Sequence, residues 1–233
     1  MNRTSEPRQL PLDLAAAPAF SRDDLVVTDA NAQAVSLVDR WPDWPGPLAI
    51  LAGPAGSGKS HLAAIWRTRT GASPLDASAI ETWIPKVREA GPWLVDDADS
   101  GRLDQTGLFH LINLARQQGQ HILLTARRFP AAWNVTLPDL ASRLTAATVV
   151  EIHEPDDALL AGVITKLFAD RQIDVEPHTV TYIARRIERS LATAIDVVNR
   201  LDYAALSQQS RITRALAAEV IVSLDEGRPE LPL

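Results

Sequence analysis

The 233-residue chain carries 46% hydrophobic and 22% charged residues, the balance of a globular protein with a core to bury. Its formal net charge of -6 argues against a broad nucleic-acid-binding face, which needs a basic excess. The absence of cysteine excludes disulfides, thiol catalysis and cysteine-ligated metals, and His61, His110, His121, His153 and His178 lack the paired spacing of a zinc site.

Residues 1–19 are rich in Pro, Arg and Ala without sustained periodicity, and read as a flexible tail. Pro11, Asp13 and Pro18 interrupt the apolar positions there, which argues against a signal peptide. No segment approaches the roughly 18 uninterrupted apolar residues of a membrane helix, so the expectation is a cytoplasmic protein with no membrane partner. From 20 to about 154, short apolar runs alternate with helical stretches, the pattern of an α/β fold with a parallel sheet. Strands are expected at 48–51, 73–75, 93–95, 121–125 and 148–152, buried on both faces.

After Pro155 the strand signal stops. Asp156 and Asp157 can cap a helix running to about 170, with Leu159, Leu160, Val163, Ile164 and Leu167 on one stripe. Further helices fit 177–187, 191–207 and 213–224. The expected organisation is a tail (1–19), an α/β core (20–154) with a five-stranded parallel sheet, and an all-helical lid (155–233).

The strongest chemical signal is Gly53-Pro54-Ala55-Gly56-Ser57-Gly58-Lys59-Ser60, a P-loop pattern. Its glycines let successive N–H groups turn inward onto phosphate oxygens. Lys59 would reach the β and γ phosphates of ATP, or the β phosphate of ADP, and the Ser60 hydroxyl would ligate Mg²⁺. Context supports this over a chance Gly-rich turn. An apolar strand precedes the loop, and His61 continues a helix whose positive end faces the phosphates.

Trp93-Leu94-Val95-Asp96-Asp97 is an apolar strand ending in two carboxylates. In a P-loop fold Asp96 lies across from Ser60 and holds the metal through water, while Asp97 can polarise an attacking water. The plainer alternative is that Asp97 and Asp99 cap the next turn, and it is preferred here for Asp99 but not for Asp96.

These residues, with Thr125 at a strand end and the run Leu137-Pro138-Asp139-Leu140-Ala141-Ser142-Arg143-Leu144, resemble the AAA+ ATPase module of bacterial replication initiators. Within that group the last run is similar to the arginine-finger segment of the Hda-like regulatory inactivators of DnaA. The resemblance covers the chain from about Phe20 to the C-terminal helices. It implies that Arg143 points at a nucleotide on a neighbouring molecule, with Thr125 as a first sensor. It also implies that Leu25, Val26 and Val27 enclose the adenine base, although they fit an ordinary core equally well. Without the resemblance, a salt-bridged or solvated helix arginine is the commoner role for Arg143.

Gln9, Leu10, Leu12 and Leu14 fall in a stretch resembling the peptide by which bacterial proteins dock on the DNA polymerase sliding clamp. Two departures qualify the likeness. Ala192 stands where initiators carry a second sensor arginine, which weakens the case for hydrolysis by this chain itself; Arg189 is the candidate substitute. Arg127 and Arg128 follow Thr125-Ala126, where initiators more often have an acid before the arginine. The short interval before Asp96 and the lack of a helix-turn-helix after the lid speak against sequence-specific DNA binding.

The implied function is negative regulation of replication initiation, with DnaA and the clamp β subunit as partners and a place at the replisome or nucleoid. Self-association stays open. The rivals are a free-standing P-loop ATPase or kinase, and a nucleotide-dependent scaffold or loader.

Overall fold

A computed structural model describes residues 22, 25–87 and 91–226, so the clamp-like peptide and Phe20 lie outside the described residues. The core runs α1 (Ala32–Asp39), β1 (Leu48–Ala52), α2 (Lys59–Thr70), β2 (Ser73–Leu75), α3 (Ile80–Val87), β3 (Trp93–Val95), α4 (Gln105–Gln118), β4 (Ile122–Ala126), α5 (Pro138–Thr145) and β5 (Thr148–Glu151). The lid follows as α6 (Asp157–Asp170), α7 (Pro177–Ala184), α8 (Leu191–Gln208) and α9 (Arg214–Asp225). Among the described residues, no helix is long and apolar enough to cross a membrane.

The five strands form one sheet in the order β2-β3-β4-β1-β5, and every pairing is parallel. Alternation along the strands assigns each residue to a face. Leu48 and Ile50 of β1 join Trp93, Val95, Ile122 and Leu124 under α3, α4 and α5. Ala49 and Leu51 join Leu94 and Leu123 under α1 and α2. Both faces are covered at β1 and β4, which are fully buried and apolar except for Thr125, whereas the edge strands β2 and β5 are only partly buried, contrary to expectation.

On the α1–α2 face, Trp66 stacks on Trp44 at 5.5 Å between ring centroids and meets Trp41 edge-on at 6.4 Å. His121 packs edge-on to Trp44 at 5.4 Å, at the entry to β4. Burial lowers the His121 pKa.

The lid has its own core of α6–α9, including Leu160, Phe168, Ile183, Val198, Leu201 and Val220. Its helices start where the sequence provides caps. Asp156 accepts from the Leu159 amide, Ser190 from Thr193 and Thr213 from Leu216. The strand and lid-helix positions match expectation with small shifts. The entry to β4 moves one residue on, and α7 closes at Ala184 rather than 187. Helices α1, α3, α4 and α5 were not individually assigned from the sequence.

A phosphate loop under the lid and an arginine at the far end of the sheet

β1 delivers the chain to Gly53, whose N–H donates to the Ala126 carbonyl at 3.1 Å, so the loop starts against the exit of β4. Any Cβ at Gly53 would lie 2.2 Å from the Ile152 carbonyl oxygen. Gly56 and Gly58 adopt φ of +73° and +99°, in the left-handed region that glycine enters without steric cost. Gly58 caps α2 without a side-chain bond, leaving the first amides of that helix for another acceptor. The Ser57 hydroxyl is buried without a partner among the described residues. Such a buried donor beside uncapped amides fits an anionic ligand.

Lys59 is itself buried and donates to the carbonyls of Gly53 at 2.8 Å and Pro54 at 2.6 Å. Burial lowers its pKa; the neighbouring Arg127 charge pushes the same way, against the pull of Asp97, Asp96 and Asp99. Ser60 donates to Asp96 Oδ2 at 3.2 Å, so a hydroxyl and a carboxylate from α2 and β3 meet at one point. Hydroxyl and carboxylate oxygens are the donors a hard divalent cation prefers. Among the described residues, no group of three His, Asp or Glu forms a protein-only metal site.

Thr125 is fully buried and ties the two acids together. Its hydroxyl donates to Asp96 Oδ1 and accepts from the Asp97 N–H at 3.0 Å. Asp97 has φ of +50°, and its exposed carboxylate leaves β3 beside this cluster. The structure therefore gathers Lys59, Ser60, Asp96, Asp97 and Thr125 around one loop. His61, on the first turn of α2, has its pKa lowered by burial and then by the charge of Lys166.

Asp99 corrects the sequence reading. It is buried rather than a simple turn cap. It accepts from the backbone amides of Arg127 at 3.0 Å and Arg128 at 3.1 Å, and from Arg128 Nε at 3.2 Å. Burial alone would raise its pKa, yet these donors hold the carboxyl below its ordinary value. The Asp-Asp-Ala-Asp run looks like turn chemistry in sequence; the partners arrive only through the parallel return of β4.

The lid closes over the loop. The Leu191 N–H donates to the Gly56 carbonyl at 2.8 Å, and a Cβ on Gly56 would meet Ser190 Oγ at 2.2 Å. Ala192 is exposed on the first turn of α8. Arg189 does not replace the missing sensor in this conformation: its guanidinium donates to Asp157 Oδ1 at 3.0 Å and to the Pro155 carbonyl at 3.4 Å.

The three residues expected to enclose a base diverge. Leu25 packs on the α1–α2 core cluster. Val26 abuts Gly162 of the lid, where a Cβ would lie 2.8 Å from Val26 Cγ1. Val27 is 45% exposed.

Arg143 lies elsewhere. It lines a cavity of about 440 Å³ with Gly46, Leu48, Phe109, Arg116 and Ser142. Leu48 opens β1, whereas the P-loop follows its last residue. The guanidinium therefore sits at the opposite end of the sheet from the loop. It lies 4.9 Å from the Phe109 ring centroid, and its Nη1 is buried without a partner among the described residues. Phe109 is the contact that sequence reasoning missed, since only the packing of α4 on α5 reveals it.

A five-stranded parallel sheet covered on both faces, a glycine-rich loop after β1 and a helical lid in contact with that loop define an α/β fold of the P-loop type. Residues 163–221 match the family described as Hda, lid domain. DnaA, the chromosomal replication initiator protein of Cutibacterium acnes, is 25% identical over 239 aligned residues, 91% of this chain. An uncharacterized protein of Haemophilus influenzae is 26% identical over 118 residues, 50% of this chain. The matches span 48% and 51% of those relatives, about half their length. The chain is thus similar to Hda/DnaA-related AAA+ proteins, with the family match confined to residues 163–221 of the lid.

Solved structures agree on the fold. Domain III of the Thermotoga maritima replication initiation protein DnaA superposes with a TM-score of 0.73 at 16% identity, covering 89% of this chain and 97% of that one. The T. maritima RuvB Holliday junction branch migration motor gives 0.70 at 17%, covering 91% and 74%. AMPPCP-bound DnaA from Aquifex aeolicus gives 0.66 at 18%, covering 80% and 66%.

Proposed function

We propose that this chain is a nucleotide-holding negative regulator of chromosomal replication initiation that acts on DnaA through Arg143. The observation that carries this reading is the separation of Arg143 from its own P-loop by the five-residue strand β1, roughly 16 Å of extended chain. A guanidinium so placed does not reach its own nucleotide and is available to one on a neighbouring molecule. It is permanently charged and forked, suited to charge developing on γ-phosphoryl oxygens. Such a residue raises hydrolysis by roughly 10³–10⁵-fold. Similarity to DnaA and to the Hda lid supports the choice of partner.

In this reading the P-loop holds ADP or ATP, with backbone amides between residues 55 and 61 and Lys59 on the phosphates. Ser60 directly, and Asp96 through water, would hold Mg²⁺, which would supply positive charge to offset that of the phosphates. Thr125 orients Asp96 and the Asp97 backbone, and the exposed Asp97 carboxylate would polarise an attacking water. Similarity to an AMPPCP-bound DnaA supports nucleotide binding by this chain. Gln9, Leu10, Leu12 and Leu14 dock on the sliding clamp β subunit and bring the protein to the replisome.

A free-standing ATPase or kinase would turn over alone; Ala192 and the engagement of Arg189 by Asp157 count against it. A passive scaffold would bind the clamp yet leave DnaA hydrolysis indifferent to Arg143. The test is ATP hydrolysis by DnaA with DNA-loaded clamp and this protein. Wild type should stimulate, and Arg143→Ala and alanine replacements at Gln9 and Leu10 should both lose the effect. Absence of stimulation by wild type overturns the reading.

A further inference from the structure

We propose that Arg127 is a second phosphate-binding cation of this site, supplied by the core and directed at the terminal phosphate of a nucleoside triphosphate. The inference rests on the P-loop holding a nucleotide and adds a ligand contact to it. Its basis is placement. Arg127 directly follows Ala126, whose carbonyl receives the N–H of Gly53, so it leaves β4 at the point where the P-loop begins. Two residues before Arg127, β4 carries Thr125, whose hydroxyl binds the Asp96 carboxylate that also accepts from Ser60.

Two neighbouring arginines receive different treatment. The buried Asp99 carboxylate fixes both their backbone amides, but takes only the guanidinium of Arg128. The Arg127 side chain is exposed, with no hydrogen-bond or ion-pair partner among the described residues. Its backbone is thus anchored while its charge is left available. Arg127 is also near enough to Lys59 to act on that ammonium as a like charge. Two cations converging beside uncapped helix amides repel each other until an anion sits between them.

The lid does not supply this charge. Ala192 occupies the first turn of α8, and the adjacent Arg189 is held by Asp157. Lys59 reaches the β and γ phosphates of a bound nucleotide in a P-loop. A cation arriving from the strand end beyond Lys59 meets the terminal phosphate rather than the base or sugar. The site therefore distinguishes triphosphate from diphosphate through Arg127.

The experiment uses the full chain and measures binding of fluorescent mant-ATP and mant-ADP with magnesium, before hydrolysis. Wild type, Lys59→Ala, Arg127→Gln and Arg127→Lys are compared. Lys59→Ala should lose both ligands. Arg127→Gln should weaken mant-ATP about tenfold, the size of one lost charge-assisted hydrogen bond, and mant-ADP less than about twofold. Arg127→Lys should recover part of the loss, and the unliganded melting temperature of Arg127→Gln should match wild type. Failure of wild type to bind either nucleotide overturns the P-loop reading and this inference with it. Wild-type binding that Lys59→Ala abolishes and Arg127→Gln leaves unchanged overturns this inference alone. Equal loss of both ligands in Arg127→Gln, with a lowered melting temperature, assigns Arg127 a structural role and also overturns it.

Discussion

The backbone N–H of Leu191 donates to the carbonyl of Gly56 at 2.8 Å, joining the first turn of a lid helix to the phosphate loop by a main-chain bond. The contact depends on Gly56 having no side chain, because Ser190 Oγ occupies the space a Cβ would need. Lid position and loop shape are therefore coupled in this protein.

Gly56→Ala is expected to break that coupling. A φ of +73° costs an alanine about 1–2 kcal/mol, and the 2.2 Å approach to Ser190 Oγ adds to it. Thermal unfolding should fall by about 4–8 °C for a loss near 2 kcal/mol in a chain of this size. Mant-nucleotide affinity should fall in parallel. Unchanged melting and affinity would mean that lid and loop are independent.

Asp99→Asn removes a buried carboxylate from donors on Arg127 and Arg128 and should cost about 1.5–3 kcal/mol in urea unfolding. The pH dependence has a defined sign. The folded pKa is depressed, so the stabilisation is present above the unfolded value of about 3.9 and is lost as pH falls through the lower folded value. The variant should lack that part of the acid limb.

Much of this was legible in the sequence, and the reason is physical. β1 and β4 are fully buried five-residue strands, apolar except for Thr125, because both faces of the sheet are covered there. The lid helices carry their own caps at Asp156, Ser190 and Thr213. The glycine spacing of the loop follows from backbone geometry. The role of Asp99 was not legible, since its partners lie 28 and 29 residues away on the returning strand. The divergence of Leu25, Val26 and Val27 was equally hidden: three adjacent apolar residues meet the core, the lid and solvent in turn.

His121 gives a second pH prediction. Burial among Trp41 and Trp44 lowers its pKa, and burial with Lys166 nearby lowers that of His61. Both groups fold neutral. Their contribution is complete above the unfolded value of about 6.5 and declines as pH falls toward the lower folded values. Melting temperature should drop between pH 7.5 and pH 5, and His121→Phe should reduce the slope. An equally steep profile in that variant would contradict the assignment.

Trp66 is fully buried between Trp44 and Trp41, and its loss should be severe. Trp66→Ala should destabilise by about 3–5 kcal/mol through the cavity it leaves against the sheet. Denaturant titration measures this directly, and a change under about 1 kcal/mol would show that the aromatic cluster collapses to fill the space.

The central claim concerns the distance between Arg143 and its own phosphate loop. Its most direct test is single-turnover decay of ATP preloaded on DnaA, after mixing with clamp-bound wild type, Arg143→Lys or Arg143→Ala. The account predicts that wild type accelerates decay and that Arg143→Ala loses on the order of 10³-fold or more of that acceleration. Arg143→Lys should stay well below wild type, because an ammonium lacks the forked geometry. Decay at the wild-type rate with Arg143→Ala would contradict it.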